Sequence, residues 1–146
     1  MSDPPQRAAP DTHVTDDPPI TEVMSTDIVA ITPDASLGTA LRLMAATGVR
    51  HLPVVDGHRC LGLVSEADLV GCLARESSPL AAAAHRPVWQ LTRRVTPVPR
   101  SAHRSDAAWR MHADGVDAVL VTDNGRLVGI VTATDLIRSL AGHRSP

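Results

Sequence analysis

The sequence predicts an α+β fold made of two β-α-β-β-α repeats, related by pseudo-two-fold symmetry and sharing one core. Three observations predict it. A nine-residue phrase occurs twice, at 61–69 and at 128–136. Shifting the sequence by 67 residues keeps identical residues aligned, without a gap, far beyond the two phrases. Each half is about 55 residues long, which is too short to bury a sufficient core alone.

The shifted alignment sets the predicted domain boundaries. Its identical pairs are Ala40 and Ala107, Met44 and Met111, Gly48 and Gly115, Val49 and Val116, Val54 and Val121, Asp56 and Asp123, Arg59 and Arg126, Gly62 and Gly129, Val64 and Val131, Asp68 and Asp135, Leu69 and Leu136. We therefore place the first repeat at 20–76, a linker at 77–86 and the second repeat at 87–143. The Pro-rich, acidic residues 1–19 are expected to form a flexible tail, since they hold too few apolar side chains to offset ordering entropy.

The elements of the first repeat follow from its pattern of apolar residues and turn signals. An apolar run predicts a strand at 28–31, and Asp34 is a candidate N-cap of a helix that Gly48 ends. A second strand at 49–55 leads into Asp56 and Gly57, a strong hairpin signal, and 60–64 returns as its partner. A second helix is predicted at 66–74.

The second repeat has the same order of elements with local departures. Pro97, Pro99 and Arg100 make its first strand irregular, and Ser101 offers an N-cap at the position equivalent to Asp34. Leu120 replaces the proline found at the equivalent place in the first repeat. The fold is expected to survive these changes.

The composition restricts the core and the class of protein. Phe and Tyr are absent, so the core is expected to be aliphatic, with Trp89 and Trp109 as the only large rings. A net charge of −2 argues against a nucleic-acid binder with a broad basic surface.

No apolar run is long enough to span a membrane and no signal peptide is visible, so we expect a cytoplasmic protein. Cys60 and Cys72 lack a metal-ligand spacing and are expected to be buried thiols rather than a disulfide.

The repeated phrase also contains the candidate binding residues. In each copy a hydroxyl residue ends a strand and an acidic residue follows three positions later, as Ser65 with Asp68 and Thr132 with Asp135. A helix start presents unpaired N–H groups and attracts anions, and a nearby carboxylate can accept hydrogen bonds from sugar hydroxyls. The alternative is a capping box, which stabilises a helix start and binds nothing.

With these motifs the sequence resembles a tandem pair of CBS domains, the regulatory repeats named after cystathionine β-synthase. The resemblance extends over about 120 of the 146 residues. It is carried by 23–24, 48–56 and 62–68 in the first repeat, and by 115–116, 119–121, 123 and 129–135 in the second.

The resemblance implies two clefts between the repeats, each for an adenosine-containing regulatory ligand such as AMP, ADP, ATP or S-adenosylmethionine, with no cofactor required. The first cleft is expected to use Ser65, Asp68, Arg50, His51, Val95, Val116 and Ala118. The second is expected to use Thr132, Asp135, Ile28, Val49 and His51. Asp117, which is equivalent to Arg50, is expected to face phosphate in the second cleft and to make it the weaker nucleotide site.

The sequence predicts no catalysis and no metal site, because no nucleophile with a base, carboxylate pair or His-Glu-x-x-His pattern is present. We expect a stand-alone sensor that signals to an unknown partner protein. The resemblance also implies a homodimer formed through the helices. The alternatives are a dimeric interaction scaffold without a ligand and a small thiol-based stress-response factor.

Overall fold

The computed structural model describes residues 16–142, which form two successive repeats with the same order of elements. The predicted α+β fold with two repeats is confirmed. The helices are α1 (Leu37–Thr47), α2 (Glu66–Ala74), α3 (Pro79–His85), α4 (Arg104–Asp114) and α5 (Ala133–Ala141). The strands are β1 (His51–Asp56), β2 (Arg59–Ser65), β3 (Val98–Pro99), β4 (Ala118–Asp123) and β5 (Arg126–Thr132). Short 3₁₀-helices, Ile20–Glu22 and Val88–Leu91, precede the two repeats.

Each repeat is built on an antiparallel hairpin. Strands β1 and β2 pair from His51 with Ser65 to Asp56 with Arg59, as the Asp56-Gly57 signal predicts. Strands β4 and β5 repeat this pairing, and β3 adds to β4 in parallel. Both hairpins carry a register shift at the equivalent place, after Val54 and after Val121.

The predicted first strand at 28–31 is wrong as a regular strand. Only Ile31 pairs, as a single parallel bridge to Val54. Its N–H donates to the Pro53 carbonyl at 3.0 Å, and its carbonyl accepts from the Val55 N–H at 2.9 Å. The chain turns at Pro33, whose nitrogen has no hydrogen to donate, so the pairing stops there.

The predicted N-caps Asp34 and Ser101 are also wrong, because both helices begin later, after a turn. A hydrogen bond from Ala35 to Thr32 closes the turn that contains Asp34. The N-cap of α1 is Ser36, whose hydroxyl accepts from the Thr39 N–H at 3.1 Å. In the second repeat the N-cap of α4 is the equivalent residue, His103. The end of α1 is as predicted, since Gly48 takes up a left-handed conformation there.

The two repeats exchange the segments that lead into them. Ile20, which leads into the first repeat, is fully buried in the apolar cluster of the second. Val88, which leads into the second repeat, is fully buried in the cluster of the first. A third cluster, centred on Leu63, Leu120 and Ile130, lies between the repeats. The shared core therefore consists of one cluster in each repeat and a third that joins them.

The core is aliphatic, as expected, but neither tryptophan belongs to it. The side chains of Trp89 and Trp109 are 56% and 63% exposed. The prediction that they supply large rings to the core is therefore wrong. Both cysteines are free; Cys72 is buried and Cys60 is half-buried.

In the segments that lead into the two repeats, the spacing between equivalent residues differs by one from the 67 residues found elsewhere. Ser25 pairs with Ile130. The residue equivalent to Ile130 in the first repeat is Leu63, and it pairs with Arg93. A spacing of 67 would have paired Leu63 with Thr92 instead. Residues of the two leading segments therefore correspond at a spacing of 68. The spacing of 67 returns where Ile31 and Val98 pair with their hairpins.

The predicted tail falls mostly on residues 1–15, which lie outside the described residues. The last four residues, 16–19, are described and contact the second repeat, so the prediction of a flexible tail is wrong for these four. The Asp17 carboxylate accepts from the Ser105 N–H at 2.9 Å, and Pro19 pairs with His103. The predicted linker contains α3, which packs on α1 and α2. Within 16–142, no helix is long and apolar enough to cross a membrane.

Candidate functional site: two clefts between the repeats

Two cavities of about 520 and 540 Å³ lie between the repeats, one at each strand-to-helix junction of the repeated phrase. We call them the Asp68 cleft and the Asp135 cleft. Each combines the helix start of one repeat with the loop that precedes the middle strand of the other. Residues 115–118 of the second repeat complete the Asp68 cleft, and residues 48–51 of the first repeat complete the Asp135 cleft.

The structure brings most of the predicted residues together. The predicted residues that line the Asp68 cleft are His51, Ser65, Asp68, Val95, Val116 and Ala118. The predicted residues that line the Asp135 cleft are Val49, His51, Thr132 and Asp135. Whether these residues bind a ligand stays a prediction.

Arg50 and Asp117 lie in the opposite clefts to those expected. Arg50 lines the Asp135 cleft and Asp117 lines the Asp68 cleft. The physical reason is chain continuity. Arg50 follows Val49 in one short loop, so both face the same cleft, and the equivalent residues Val116 and Asp117 face the other. The predicted distribution of charge between the clefts is therefore reversed.

Ile28 does not line the Asp135 cleft; its neighbours Asp27 and Val29 do. Alternate residues of an extended chain point to opposite faces. The one-residue shift of the leading segments gives Asp27 the place that corresponds to Val95. Ile28 is the residue 67 positions before Val95, so a spacing of 67 selected a side chain on the face of the segment that points away from the cleft.

Both helix starts are capped, as the alternative interpretation of the phrase predicts. The Ser65 hydroxyl accepts from the Asp68 N–H at 3.1 Å, and the Thr132 hydroxyl accepts from the Asp135 N–H at 3.3 Å. In α5 the capping box is complete, since the Asp135 carboxylate accepts from the Thr132 N–H at 2.9 Å. Capping uses part of each hydroxyl's capacity but leaves both side chains at the cleft surface.

In α2 the Asp68 carboxylate is paired with Arg93 across the repeats. Nε of Arg93 donates to Oδ2 at 2.7 Å and an Nη donates to Oδ1 at 3.0 Å, a bidentate arrangement. The hydrogen bonds and charge of Arg93 hold the pKa of the Asp68 carboxyl below its usual range, against the opposing effect of burial. Asp68 is thus ionised at neutral pH, with its charge compensated by the neighbouring guanidinium.

Of the residues that the structure describes, His51 is the one that lines both clefts. Its ring is largely buried near the pseudo-two-fold axis, and its Nε2 lies 2.8 Å from Oδ1 of the exposed Asp117. The equivalent residue in the second repeat is Ala118, which has no side chain to reach across. The contact between the clefts is therefore made by one side chain and is not symmetric.

The two clefts differ in the cations they present. In the Asp68 cleft the one arginine among the described lining residues, Arg93, is bound to Asp68, and Asp117 adds a second carboxylate. The Asp135 cleft contains Arg50 and Arg138. Arg138 contacts Asp135 at 3.0 Å, and Arg50 is 3.9 Å from Glu66, a weak contact for a largely exposed side chain. Among the described residues, the Asp135 cleft thus presents two guanidinium groups beside the carboxylates of Asp27 and Asp135, and the Asp68 cleft presents one beside two carboxylates.

Sequence reasoning missed Arg93 and Arg138 as cleft residues. Arg138 could have been found, because it lies one helical turn after Asp135 and so shares its face. Arg93 could not, because its contact with Asp68 depends on how the segment before β3 pairs with β2. No group of three or more His, Cys, Asp or Glu side chains that could hold a metal ion occurs in the part of the chain that the structure describes.

The sequence profile of the CBS domain family matches residues 20–75 and 88–142. The chain belongs to the CBS domain family. The two matched segments correspond to the two repeats of the structure, so the protein is a CBS pair. The homoserine O-acetyltransferase of Methanococcoides burtonii and other enzymes also match, but the chain spans only 23% of that enzyme's length.

Curated proteins of several organisms are similar in sequence to this CBS pair. A protein of Thermofilum pendens described as an uncharacterized 33.4 kDa protein in a ribosomal RNA operon is 28% identical over 138 residues, 89% of this chain and 45% of that protein. The chain spans less than half the length of the first curated relatives it matches.

Solved structures share the fold. A putative signal-transduction protein with CBS domains from Burkholderia ambifaria has a TM-score of 0.70 at 27% identity, over 83% of this chain and 88% of that one. The CBS domain of a bacterial CNNM/CorC family Mg²⁺ transporter, solved in complex with ATP, has a TM-score of 0.74 at 23% identity, over 87% and 89%.

Proposed function

We propose that this CBS pair is a regulatory module that binds an adenosine-containing ligand in the clefts between its repeats and signals to a partner protein. The pair of clefts carries the proposal. Each presents a carboxylate and a hydroxyl at a helix start, and each has the volume of a small-molecule site. The carboxylate can accept from ribose hydroxyls, and the apolar loop of the opposite repeat can cover a base.

The distribution of charge assigns a ligand class to each cleft. Arg50 and Arg138 make the Asp135 cleft the better site for a phosphorylated ligand such as AMP, ADP or ATP. The Asp68 cleft, where Asp117 adds negative charge, suits an adenosyl ligand with a neutral or cationic tail, such as S-adenosylmethionine. This order is the reverse of the one expected from sequence.

Isothermal titration of the full chain with ATP, adenosine and S-adenosylmethionine tests the proposal. We expect Asp135→Asn to weaken ATP binding about tenfold, which corresponds to about 1.4 kcal/mol. Asn keeps an oxygen that can cap α5 but lacks the charge and the second acceptor for ribose. ATP is the first ligand because the CNNM/CorC CBS domain of the same fold was solved with it.

The matched control is Asp68→Asn, at the equivalent position of the other repeat. We expect it to weaken binding of S-adenosylmethionine. The affinity for ATP should change by less than a factor of about two to three. Loss of ATP binding in Asp68→Asn with retention in Asp135→Asn would reverse the assignment of the clefts. Absence of binding by all three ligands would favour the alternative of a scaffold without a ligand.

We also propose that two chains associate through their helices. Val70 on α2 and Ile137 on α5 occupy equivalent positions and are 53% and 66% exposed. Leu140 and Trp109 extend this apolar surface on the second repeat. Because equivalent positions of both repeats are apolar, the surface suits a second copy of the same chain.

Sedimentation velocity tests the association. Wild type is expected to sediment as a dimer at micromolar concentration, and Ile137→Asp as a monomer, because a buried unpaired carboxylate opposes association. His58→Asp, in the exposed turn between β1 and β2, is the control and should leave the dimer intact. A wild type that remains monomeric, or an Ile137→Asp variant that remains dimeric, would contradict this interface.

The thiol-based alternative has less support from the structure. Burial raises the pKa of the Cys60 thiol, and Cys72 is buried beneath α3, where its sulfur accepts from Arg86 at 2.8 Å. A raised pKa and burial both lower thiol reactivity. Free thiols are consistent with the proposed cytoplasmic setting.

A further inference from the structure

A third cavity, of about 580 Å³, lies between β2, β4 and the segment that leads into β3. It shares only Val95 with the Asp68 cleft and no residue with the Asp135 cleft. Its apolar walls come from Leu120 and Val95, which belong to the cluster between the repeats or pack against it, and from Leu61, which packs against the cluster of the first repeat. The nucleotide function proposed above makes no use of it.

The charged side chains that line this cavity are both cationic. They are Arg59 and Arg94, and no Asp or Glu among residues 16–142 lines it. Six other arginines form ion pairs, but Arg59 and Arg94 form none with any residue between 16 and 142. Asp56 lies opposite Arg59 in the hairpin without pairing to it. Two unpaired guanidinium groups beside apolar walls create a local positive potential that attracts an anion.

A large aromatic ring lies at the rim of the same cavity. Trp89 contributes to its lining, although more than half of its side chain is exposed. An exposed indole offers a face on which a planar group can stack. Cys60 also lines the cavity; its raised pKa keeps it a neutral thiol, so it adds no negative charge.

The counterpart of this cavity in the pseudo-symmetric half is built differently. There a Cβ on Gly129 would meet the side chain of Met24, which covers that part of the hairpin. At the spacing of 68 that relates the leading segments, Thr21 and Thr26 take the places of Trp89 and Arg94. The combination of indole and two guanidinium groups is therefore specific to one half of the molecule.

We propose that the third cavity binds a small aromatic anion, a carboxylate or a phosphate ester. Its ring lies against Trp89 and its charge lies between Arg59 and Arg94. Guanidinium groups bind carboxylate and phosphate oxygens through paired, charge-assisted hydrogen bonds. The site gives the module a second class of ligand, independent of the adenosine-binding clefts.

NMR of the full chain tests this site through the indole N–H signals of Trp89 and Trp109, the two tryptophans of the chain. The probes are benzoate, phenyl phosphate and uncharged benzamide. We expect one or both anions to shift the Trp89 signal saturably while Trp109 stays in place. Benzamide should bind at least about tenfold more weakly, because it lacks the charge.

The double variant Arg59→Ala/Arg94→Ala should raise the dissociation constant of the anion at least about tenfold. Arg75→Ala is the control and should change it less than twofold, because Arg75 directly follows α2 and lines none of the three cavities. A Trp89 signal unmoved by both anions overturns the proposal. So does a double variant that binds as well as the control. A response to only one anion supports the site and identifies the acidic group it prefers.

Discussion

Replacing Gly62 by Ala is expected to lower the free energy of unfolding by about 2–4 kcal/mol. Gly62 has a φ of +149°, which an L side chain rarely adopts. An added Cβ would also collide with the backbone carbonyl of Arg93. That carbonyl accepts from the Leu63 N–H at 2.9 Å, in the pairing that joins β2 to the segment before β3. Relief of the collision would therefore break a contact between the repeats.

Gly129 provides the matched control, since it is the equivalent glycine of the second repeat. Its φ lies in the ordinary range, and an added Cβ would meet Sδ, Cγ and Cβ of Met24, a flexible side chain rather than backbone. Urea unfolding of Gly62→Ala and Gly129→Ala should show a smaller loss for Gly129→Ala, by at least about 1 kcal/mol. Equal losses in the two variants would show that backbone strain at Gly62 is not the cause.

The second large effect is expected from the arginines of the Asp135 cleft. Changing both Arg50 and Arg138 to Gln should weaken ATP binding about 10- to 30-fold, or about 1.4–2 kcal/mol, and adenosine binding less than about threefold. Gln keeps most of the aliphatic stem but removes the charge that attracts phosphate. The difference between ATP and adenosine is the informative quantity, because general damage to the cleft would weaken both.

Titration at low and moderate salt completes this test. The loss of ATP affinity should be greater at low salt, since exposed charges are less screened there. Arg42→Gln with Arg126→Gln changes the net charge equally at positions outside the cleft, so it should leave ATP affinity within about twofold of wild type. If the control loses as much affinity as the cleft variant, the effect is one of net charge and the phosphate assignment to the Asp135 cleft is wrong.

Local signals were enough to predict the capped starts of α2 and α5, the two hairpins and the left-handed end of α1. In each case a few neighbouring residues decide the outcome, as at Gly48 or in the turn after Asp56. The starts of α1 and α4 were missed, because contacts from distant segments help to fix them. The Leu37 N–H donates to the Arg86 carbonyl at 2.9 Å, which no local pattern reveals.

The sequence by itself determined that this protein is a two-repeat α+β CBS pair with a carboxylate and a hydroxyl at two helix starts. Repetition over most of the chain indicates the two repeats, and the resemblance of their motifs to CBS domains indicates the family. Only the tertiary structure decided which charges face which cleft. Arg50 and Asp117 lie in loops, and the cleft that each loop faces depends on how the opposite repeat packs. Ile28 lies outside the cleft because the pairing of its segment is shifted by one residue. The charge of a cleft depends on which distant segments pack together. A repeated sequence pattern reports only the local structure within one repeat.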